Sequence, residues 1–235
     1  MALETDWAWP RLHPGQRLIL LDMLLHGARS RAELARRAGL SRTSLTRLTR
    51  DLVSFGLIAE GEIAALPGRG RPAEMLHVLP SAAHLVGVRL TGEALYAVAV
   101  DLNARPVAER GVELVSREVN DVVALIADVV SSLHAEVSRV AAVGVCLAGD
   151  VRFDAAGKAS VVGSYFLGWE HVPLQVLLEP AVALPVAVSN DVQALTTGHH
   201  WFGQGAGKDS LAVIGYGEGI GARIVDAEVR LPGHG

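Results

Sequence analysis

The sequence predicts two domains: a small helical domain that carries a β-hairpin, in residues 1–80, and a larger α/β domain with a mixed sheet, in residues 81–235. Two observations predict this division. Apolar residues recur at helical spacing up to about residue 55, whereas strand-like runs dominate after residue 84. Pro80 and Ser81 stand where the pattern changes, as expected of a domain boundary.

The basic residues are distributed unevenly between these domains. The whole chain has a formal net charge of −4, but residues 1–80 hold eleven Arg against eight acidic residues. Within residues 30–50, six Arg stand against the single Glu33. A basic segment in an acidic protein is typical of a surface that faces phosphate groups, although a solvated arginine-rich face would give the same count.

Three helices are predicted in the first domain. The first covers residues 15–26 and is followed by Gly27, which ends it. The second begins at Ser30, an N-cap that forms a capping box with Glu33. Gly39 then supplies a tight turn, and Ser41 caps a third helix. The expected apolar sides are Leu18, Leu21 and Leu25 on the first helix and Leu45, Leu48, Leu52 and Phe55 on the third, which covers residues 42–55.

The opposite side of the third helix is polar and basic. Its members are Arg42, Thr43, Ser44, Thr46, Arg47 and Arg50. Short hydroxyls and guanidinium groups reach the base edges of the major groove and the flanking phosphates. Helix, short turn and capped helix follow one another as in a helix-turn-helix, whose second helix enters the groove. An ordinary three-helix bundle with a polar outer face would satisfy the same apolar pattern.

A basic hairpin is predicted directly behind these helices. Strand-like runs at residues 57–60 and 75–79 flank the sequence Gly-Arg-Gly-Arg-Pro at residues 68–72. Glycine lets the backbone approach DNA closely, and Arg69 and Arg71 can enter a narrow minor groove. A hairpin of this kind is a wing, so we expect a winged helix-turn-helix domain that binds double-stranded DNA.

The second domain begins with strands and then alternates helices and strands. Three strands with antiparallel character, followed by this alternation, describe an α/β domain with a mixed sheet, which is the layout of the actin-like (sugar-kinase, RNase H-like) fold. The predicted strands cover residues 85–90, 95–101, 107–114, 141–147, 185–188, 211–216 and 222–225, and the predicted helices cover residues 121–137, 173–178 and 192–201.

Several short segments resemble the ROK family (repressor, open reading frame, kinase), and they occur in the family's order. They are the basic wing followed by Val-Gly-Val at residues 86–88, Leu-Gly-Trp-Glu-His-Val-Pro at 167–173, Ser-Asn-Asp at 189–191, Gly-Glu-Gly-Ile-Gly at 217–221 and Leu-Pro-Gly-His-Gly at 231–235. The resemblance implies a transcriptional regulator of sugar-related genes, either a repressor, which is favoured, or an activator. It would bind an operator as a homodimer and respond to a sugar effector.

The resemblance also implies a sugar contact at Asn190 and Asp191. In the family's kinases the Asp of this pair is the general base, whereas in its repressors it resembles an acceptor for sugar hydroxyls. The alternative is that one of the two residues only caps the helix predicted over residues 192–201. Phe166 departs from the family, which often has Asn there, and Trp169 is expected in the core.

The phosphate-binding residues of the family's kinases are replaced, so we expect no enzyme activity. The kinases carry Asp-x-Gly-Gly-Thr in the first hairpin; here Arg89 stands at the Asp, Thr91 at the first glycine and Glu93 at the hydroxyl. Glu218 likewise replaces the hydroxyl of the second phosphate element, where a carboxylate repels phosphate. A sugar kinase with a fused DNA-binding head and a DNA binder that lacks an effector response are the alternatives.

We expect no cofactor and no metal, including the family's structural zinc. His199 and His200 are adjacent, so on a helix they point about 100° apart and do not easily chelate one ion. The lone Cys146 and an N-terminus unlike a signal peptide indicate a cytoplasmic protein, and no apolar run is long enough for a membrane span. The resemblance implies a second lobe that continues past Gly235, so we expect that lobe to be incomplete in this sequence.

Overall fold

The computed structural model describes residues 7–64, 73–216 and 220–226. Within these ranges the chain forms two compact units. The smaller unit holds residues 7–64, 73–83 and 101–105, and the larger unit holds the remaining described residues. No helix in the described ranges is both long enough and apolar enough to cross a membrane.

The smaller unit consists of three helices and a three-stranded sheet. The strand order is β1-β3-β2, and β3 is antiparallel to both of its neighbours. The helices pack on one another and on the sheet. In chain order the elements are α1 Pro14–His26, β1 Arg29–Ser30, α2 Arg31–Ala38, α3 Arg42–Ser54, β2 Ile58–Ala64 and β3 Ala73–Val78.

Local capping interactions determine both ends of α2, as the sequence predicts. The Ser30 hydroxyl accepts a hydrogen bond from the backbone N–H of Glu33 over 3.3 Å, and the Glu33 carboxylate accepts one from the backbone N–H of Ser30 over 3.0 Å. The bonds from Ser30 hold the pKa of Glu33 below its ordinary value. Gly39 ends the helix with φ 64°, in the left-handed region. Ser41 then caps α3 by accepting the N–H of Ser44 over 3.1 Å.

The buried side of α3 agrees with the prediction except at its end. Leu45, Leu48 and Leu52 are buried. Phe55, which we expected on the same side, is the C-cap of the helix and is 41% exposed. Phe55 retains helical backbone angles, φ −75° and ψ −9°, so its exposure reflects its place at the end of the helix and not a change in the helical period.

The expected buried side of α1 is wrong. Leu18 is exposed, and Leu21 and Leu25 are only half-buried. Residues 18–21 are apolar on every side of the helix, so the helical period does not single out one face and packing decides. The side chains that α1 buries are those of Gln16, Ile19, Leu20 and Met23.

The larger unit is built on a five-stranded mixed sheet with helices, and this confirms the expected α/β architecture of the actin-like type. The strand order is β11-β7-β4-β5-β6, in which β11, β7 and β4 are parallel and β5 and β6 are antiparallel. The strands are β4 His84–Leu90, β5 Ala94–Asp101, β6 Pro106–Glu113, β7 Val140–Leu147 and β11 Val186–Asn190. The helices are α4 Val119–Glu136, α5 Leu174–Val182 and α6 Asp191–Trp201.

The main core of this unit lies on one face of the sheet. Alternate residues of β4 and β7, such as Val86 and Val143, are buried there against α4, which contributes Ile126 and Leu133. The residues between them point to the other face, which is more exposed. Side chains on that second face are therefore available to line a site.

A second sheet in this unit was not predicted. It has the order β10-β9-β8 and is antiparallel throughout. Two of its strands have only four residues, which is too short for an alternating apolar pattern to be recognised. The strands are β8 Asp150–Phe153, β9 Ala159–Ser164 and β10 Trp169–Val172.

A two-stranded antiparallel hairpin follows α6 and packs on that helix. It consists of β12 Ser210–Tyr216 and β13 Ile220–Asp226. Gly215 and Gly221 are register partners that lie against Val192, and a Cβ atom added to Gly221 would come within 2.6 Å of the Val192 side chain. The absence of a side chain at Gly221 therefore permits the close approach of the hairpin to α6.

Candidate functional site

The polar side of α3 is the first candidate site. Arg42, Thr43, Thr46, Arg47 and Arg50 are exposed, as the sequence predicts. Two of the hydroxyl groups are engaged within the helix. Thr46 donates to the carbonyl oxygen of Arg42 over 2.8 Å. The hydroxyl of the half-buried Ser44 accepts from the Ser41 hydroxyl over 3.0 Å.

The arginines of α3 are free of carboxylate partners. In the described part of the chain, Arg42, Arg47 and Arg50 form no hydrogen bond and no ion pair through their guanidinium groups. The only acid on this helix, Asp51, accepts a hydrogen bond from the side chain of Gln16 on α1 over 3.0 Å. The outer side of α3 is therefore positively charged without an internal counter-ion.

Two other arginines of this basic segment are bound internally. Arg31 forms ion pairs with Glu60 and Glu74, which lie on β2 and β3. Arg37 forms an ion pair with Asp22 over 2.6 Å. The composition of residues 30–50 therefore overstates the free positive charge, which is concentrated on α3.

The two arginines predicted at the tip of the basic hairpin, Arg69 and Arg71, lie outside the described residues. The strands on either side of them are described. β2 and β3 pair in an antiparallel register, with Ile58 opposite Val78 and Ala64 opposite Ala73. The hairpin arms expected from the sequence are therefore present, and both are longer than predicted at the ends nearest the tip.

The second candidate site is a cavity of about 580 Å³ in the larger unit, which we call the strand-end cavity. It lies beyond the carboxyl ends of the parallel strands β7 and β11, where Ala148, Gly149, Asn190 and Asp191 line it. Ligands of α/β proteins commonly bind at this edge of a parallel sheet. Other side chains of the lining include Arg89, Cys146, Phe166, Val192, Tyr216, Ile220 and Arg223.

Asn190 is held in place by two hydrogen bonds. Its side-chain oxygen accepts the backbone N–H of Val192 over 2.9 Å, which makes it the N-cap of α6, and its side-chain nitrogen donates to the carbonyl oxygen of Gly149 over 2.7 Å. The same N–H of Val192 lies 2.8 Å from a carboxylate oxygen of Asp191. The capping alternative therefore accounts for Asn190, whereas Asp191 is half-buried and has acceptor capacity left toward the cavity.

A larger cavity of about 630 Å³ lies over the more exposed face of the five-stranded sheet. Most of its lining residues are small or apolar, among them Gly87, Gly144 and Ala187. A binding site for a sugar needs polar groups that converge on it. We therefore place the candidate ligand site at the strand-end cavity, where Asn190 and Asp191 lie.

The turn that stands where the family's kinases bind phosphate satisfies its own backbone. The Thr91 hydroxyl accepts the N–H of Ala94 over 2.9 Å and that of Glu93 over 3.3 Å. The guanidinium group of Arg117 donates to the carbonyl oxygen of Gly92 over 3.0 Å. Two backbone N–H groups of this turn are therefore already hydrogen-bonded within it.

Trp169 is a core residue, as expected. Its side chain is 4% exposed, and its indole N–H donates to the carbonyl oxygen of Arg117 over 2.6 Å. Phe166, which replaces the Asn often found in the family, is half-buried and lines the strand-end cavity. The aromatic rings that a ligand would meet are therefore those of Phe166 and Tyr216, and not that of Trp169.

The described histidines and the cysteine show no metal-binding arrangement. His199 is exposed, and the half-buried His200 has its Nε2 atom 3.3 Å from the carbonyl oxygen of Lys208. Among the described residues, no group of three His, Cys, Asp or Glu side chains could hold a metal ion. Burial, together with the nearby Asp191, raises the pKa of the Cys146 thiol to about 11, while Arg89 opposes the rise.

Sequence reasoning named Asn190 and Asp191 but missed other members of the cavity. Cys146 and Arg223 line it, and neither stood out in the sequence. The sequence identified Arg89 only as the replacement of the kinases' Asp. Its place one residue before the end of a buried strand could also have indicated that it lies near the site. Glu218 and the segments at residues 217–219 and 231–235 lie outside the described residues.

Curated relatives match most of this chain but are about twice as long. The DNA-binding transcriptional repressor Mlc of Escherichia coli (strain K12) is 25% identical over 213 residues, which are 88% of this chain and 51% of Mlc. The N-acetylglucosamine repressor of Escherichia coli O157:H7 is 27% identical over 204 residues, which are 85% of this chain and 49% of that repressor. The chain thus spans about half the length of the curated relatives it matches.

Solved structures agree with these relatives. A ROK family transcriptional regulator, homolog of the E. coli MLC protein, superposes with a TM-score of 0.74 at 25% identity, over 94% of this chain and 57% of that one. A ROK family glucokinase from Streptomyces griseus, in complex with glucose and AMPPNP, gives a TM-score of 0.55 at 30% identity, over 62% and 45%. The model of the ROK family matches residues 85–234. The chain belongs to the ROK family.

Proposed function

We propose that this chain is a DNA-binding transcriptional regulator of sugar-related genes, most simply a repressor, with a non-catalytic sensor domain. Two findings support the proposal: the repressors named above match both units of the chain, and the smaller unit has an unpaired basic surface. The chain spans about half of those repressors. The repressor activity, the binding of an operator and the response to an effector are therefore proposed for this chain and not taken over from those repressors.

The single observation that carries the proposal is the unpaired positive charge on the outer side of α3. Its outer side presents Arg42, Arg47 and Arg50 to solvent, and none of these side chains has a carboxylate partner among the described residues. The acid on the same helix, Asp51, is held by Gln16 instead. A helix with such a face can neutralise phosphates and read base edges at once.

In this proposal the domain of residues 1–80 is a winged helix-turn-helix. α2 and α3, joined through Gly39 and Ser41, are the two helices of the motif, and α3 enters the major groove. The hairpin of β2 and β3 is the wing, whose Arg69 and Arg71 contact the adjacent minor groove. Such domains bind inverted repeats as dimers, so the regulator acts as a cytoplasmic homodimer.

Selection of duplexes from a random pool, followed by gel retardation at low salt, tests DNA binding by the full 235-residue chain. We expect one enriched sequence with two related half-sites. Replacement of Arg47 and Arg50 by Ala in one chain should abolish retardation. Arg17→Ala is the matched control, because Arg17 is exposed on α1 and also lacks a carboxylate partner among the described residues. Absence of any enriched duplex would contradict the proposal.

We further propose that residues 81–235 sense a sugar without phosphorylating it. Asp191 accepts sugar hydroxyls in the strand-end cavity, and Asn190 holds the loop around it. Loss of kinase activity is supported by Arg89 at the position of the kinase carboxylate and by the Thr91 hydroxyl, which occupies backbone N–H groups of the turn. The effector would shift the population of DNA-binding geometries.

The match to a glucokinase favours a second candidate function, which is that of a sugar kinase with a fused DNA-binding domain. A coupled assay that follows ADP release in the presence of Mg²⁺, ATP and glucose distinguishes the two functions. Sugar-dependent turnover at the ordinary kinase rate of roughly 1–100 per second would establish the kinase. We expect that the rate of ADP release with sugar and protein does not exceed the rate measured without protein.

A further inference from the structure

Three residues of neighbouring strands form a row in the lining of the cavity of about 630 Å³, and two of them, Arg89 and Cys146, also line the strand-end cavity. Arg89 of β4 is the register partner of Cys146 of β7, which in turn is the partner of Ser189 of β11. The three strands are parallel and roughly 4.8 Å apart, and the three side chains share the more exposed face of the sheet. The row leads directly to Asp191, two residues beyond Ser189.

The charged side chains that line this cavity are two arginines and one carboxylate: Arg89, Arg223 and Asp191. Neither guanidinium group forms a hydrogen bond or an ion pair with any residue of the described ranges. Arg223 comes from β13, so the two arginines reach the cavity from separate sheets. The described lining therefore has one surplus positive charge.

The electrostatic surroundings of Cys146 support this placement. The pKa of its thiol is raised first by burial and then by Asp191, and it is lowered by Arg89. A thiol responds in this way only to charges near its sulfur. Arg89 and Asp191 therefore act on the same small region of the cavity.

We propose that the strand-end cavity binds a sugar that carries an anionic group, either a phosphate ester or a carboxylate, with Arg89 and Arg223 as the ligands of the anion and Asp191 as the acceptor for a hydroxyl. This inference rests on the sensor function proposed above. An arginine binds phosphate and carboxylate in a bidentate geometry, and such charge-assisted hydrogen bonds are stronger than neutral ones. A neutral sugar can accept hydrogen bonds from the guanidinium groups, but it leaves the surplus positive charge without a counter-charge.

Titration calorimetry on the full chain tests the proposal with matched sugars: glucose, glucose 6-phosphate and glucuronate, and N-acetylglucosamine with its 6-phosphate. We expect at least one anionic sugar to bind about tenfold or more tightly than its neutral parent, which is about 1.4 kcal/mol. Arg89→Gln and Arg223→Gln should each remove that preference, and Arg89→Lys should keep part of it. The phosphate and carboxylate sugars show which anion the cavity accepts.

Lys208→Gln is the charge-matched control, because Lys208 is exposed and lines neither cavity described above. The inference is overturned by equal or weaker binding of every anionic sugar, by no binding across the panel, or by a preference that survives in both Gln variants. Thermal unfolding followed by circular dichroism checks that the variants fold. Gel retardation of the same preparations separates the two claims: intact DNA binding without an anion preference overturns only this inference, whereas loss of DNA binding by the unmodified chain overturns the proposed function.

Discussion

The side-chain nitrogen of Asn190 donates a hydrogen bond to the carbonyl oxygen of Gly149 over 2.7 Å. Gly149 follows β7, whereas Asn190 is the last residue of β11 and the N-cap of α6. One side chain therefore joins the ends of two parallel strands to the start of a helix. This bond holds the connection between β7 and β8 against the junction of β11 and α6, and both places line the strand-end cavity.

Asn190→Ala should lower the free energy of unfolding by about 1–3 kcal/mol. It removes a helix cap, which contributes about 1 kcal/mol, and leaves the half-buried Gly149 carbonyl without its donor. Asn190→Ser should be less destabilising, because the hydroxyl retains an N-cap acceptor for Val192 and loses only the amide donor to Gly149. Denaturant unfolding followed by circular dichroism measures both; equal losses in the two variants would contradict this account.

Single substitutions on α3 should weaken operator binding by about 1–3 kcal/mol if the residue reads a base. Arg47→Ala and Arg50→Ala are the two variants, since both side chains are exposed and unpaired within the described chain. Replacing an arginine that contacts only a phosphate should weaken binding to all sequences alike. It should also reduce the number of counter-ions released on binding by about one. Fluorescence anisotropy of a labelled operator at several salt concentrations separates the two roles. Unchanged affinity and salt dependence in both variants would exclude α3 as the DNA-reading helix.

Gly221→Ala should destabilise the packing of the β12–β13 hairpin on α6 by about 1–3 kcal/mol. The new Cβ would lie 2.6 Å from Val192 Cγ2, and a β-branched side chain on a helix has one strongly preferred rotamer, so it does not move aside easily. Gly144→Ala is the matched control, because a Cβ there meets no atom within 4 Å. Thermal unfolding of both variants decides the matter, and equal midpoints would show that the close approach is unimportant.

The Cys146 thiol should react slowly with disulfide reagents. Its pKa of about 11 leaves little thiolate at pH 8, so modification should be about a hundredfold slower than in the urea-unfolded chain. Because the folded-state pKa is raised, the folded state is favoured below the pKa of the unfolded thiol, and this contribution is lost as the pH rises toward 11. The unfolding free energy of the unmodified chain should therefore fall more steeply at alkaline pH than that of Cys146→Ala.

Much of the smaller unit can be predicted because its signals are local. The capping box of Ser30 and Glu33, the left-handed Gly39 and the cap at Ser41 each involve residues within about four positions of one another. The spacing of α2 and α3 and the exposed side of α3 follow from them. The same reasoning failed where the apolar residues surround a helix, as on α1, because the period then selects no face.

Other features depend on partners that are distant in the sequence. Arg31 and Arg37 look like members of the basic surface until Glu60, Glu74 and Asp22 are brought beside them. Two of the three strands β8–β10 have only four residues, and these strands are stabilised by pairing with one another.

The amino-acid sequence by itself determined the order of the helices, the caps of α2 and α3 and the chemical character of the outer side of α3, because these depend on neighbours along the chain. Only the tertiary structure decided which arginines remain unpaired and that Arg89, Cys146 and Asp191 meet at one cavity. The physical reason is that parallel strands bring together residues far apart in the sequence, and the register that aligns them depends on the whole sheet.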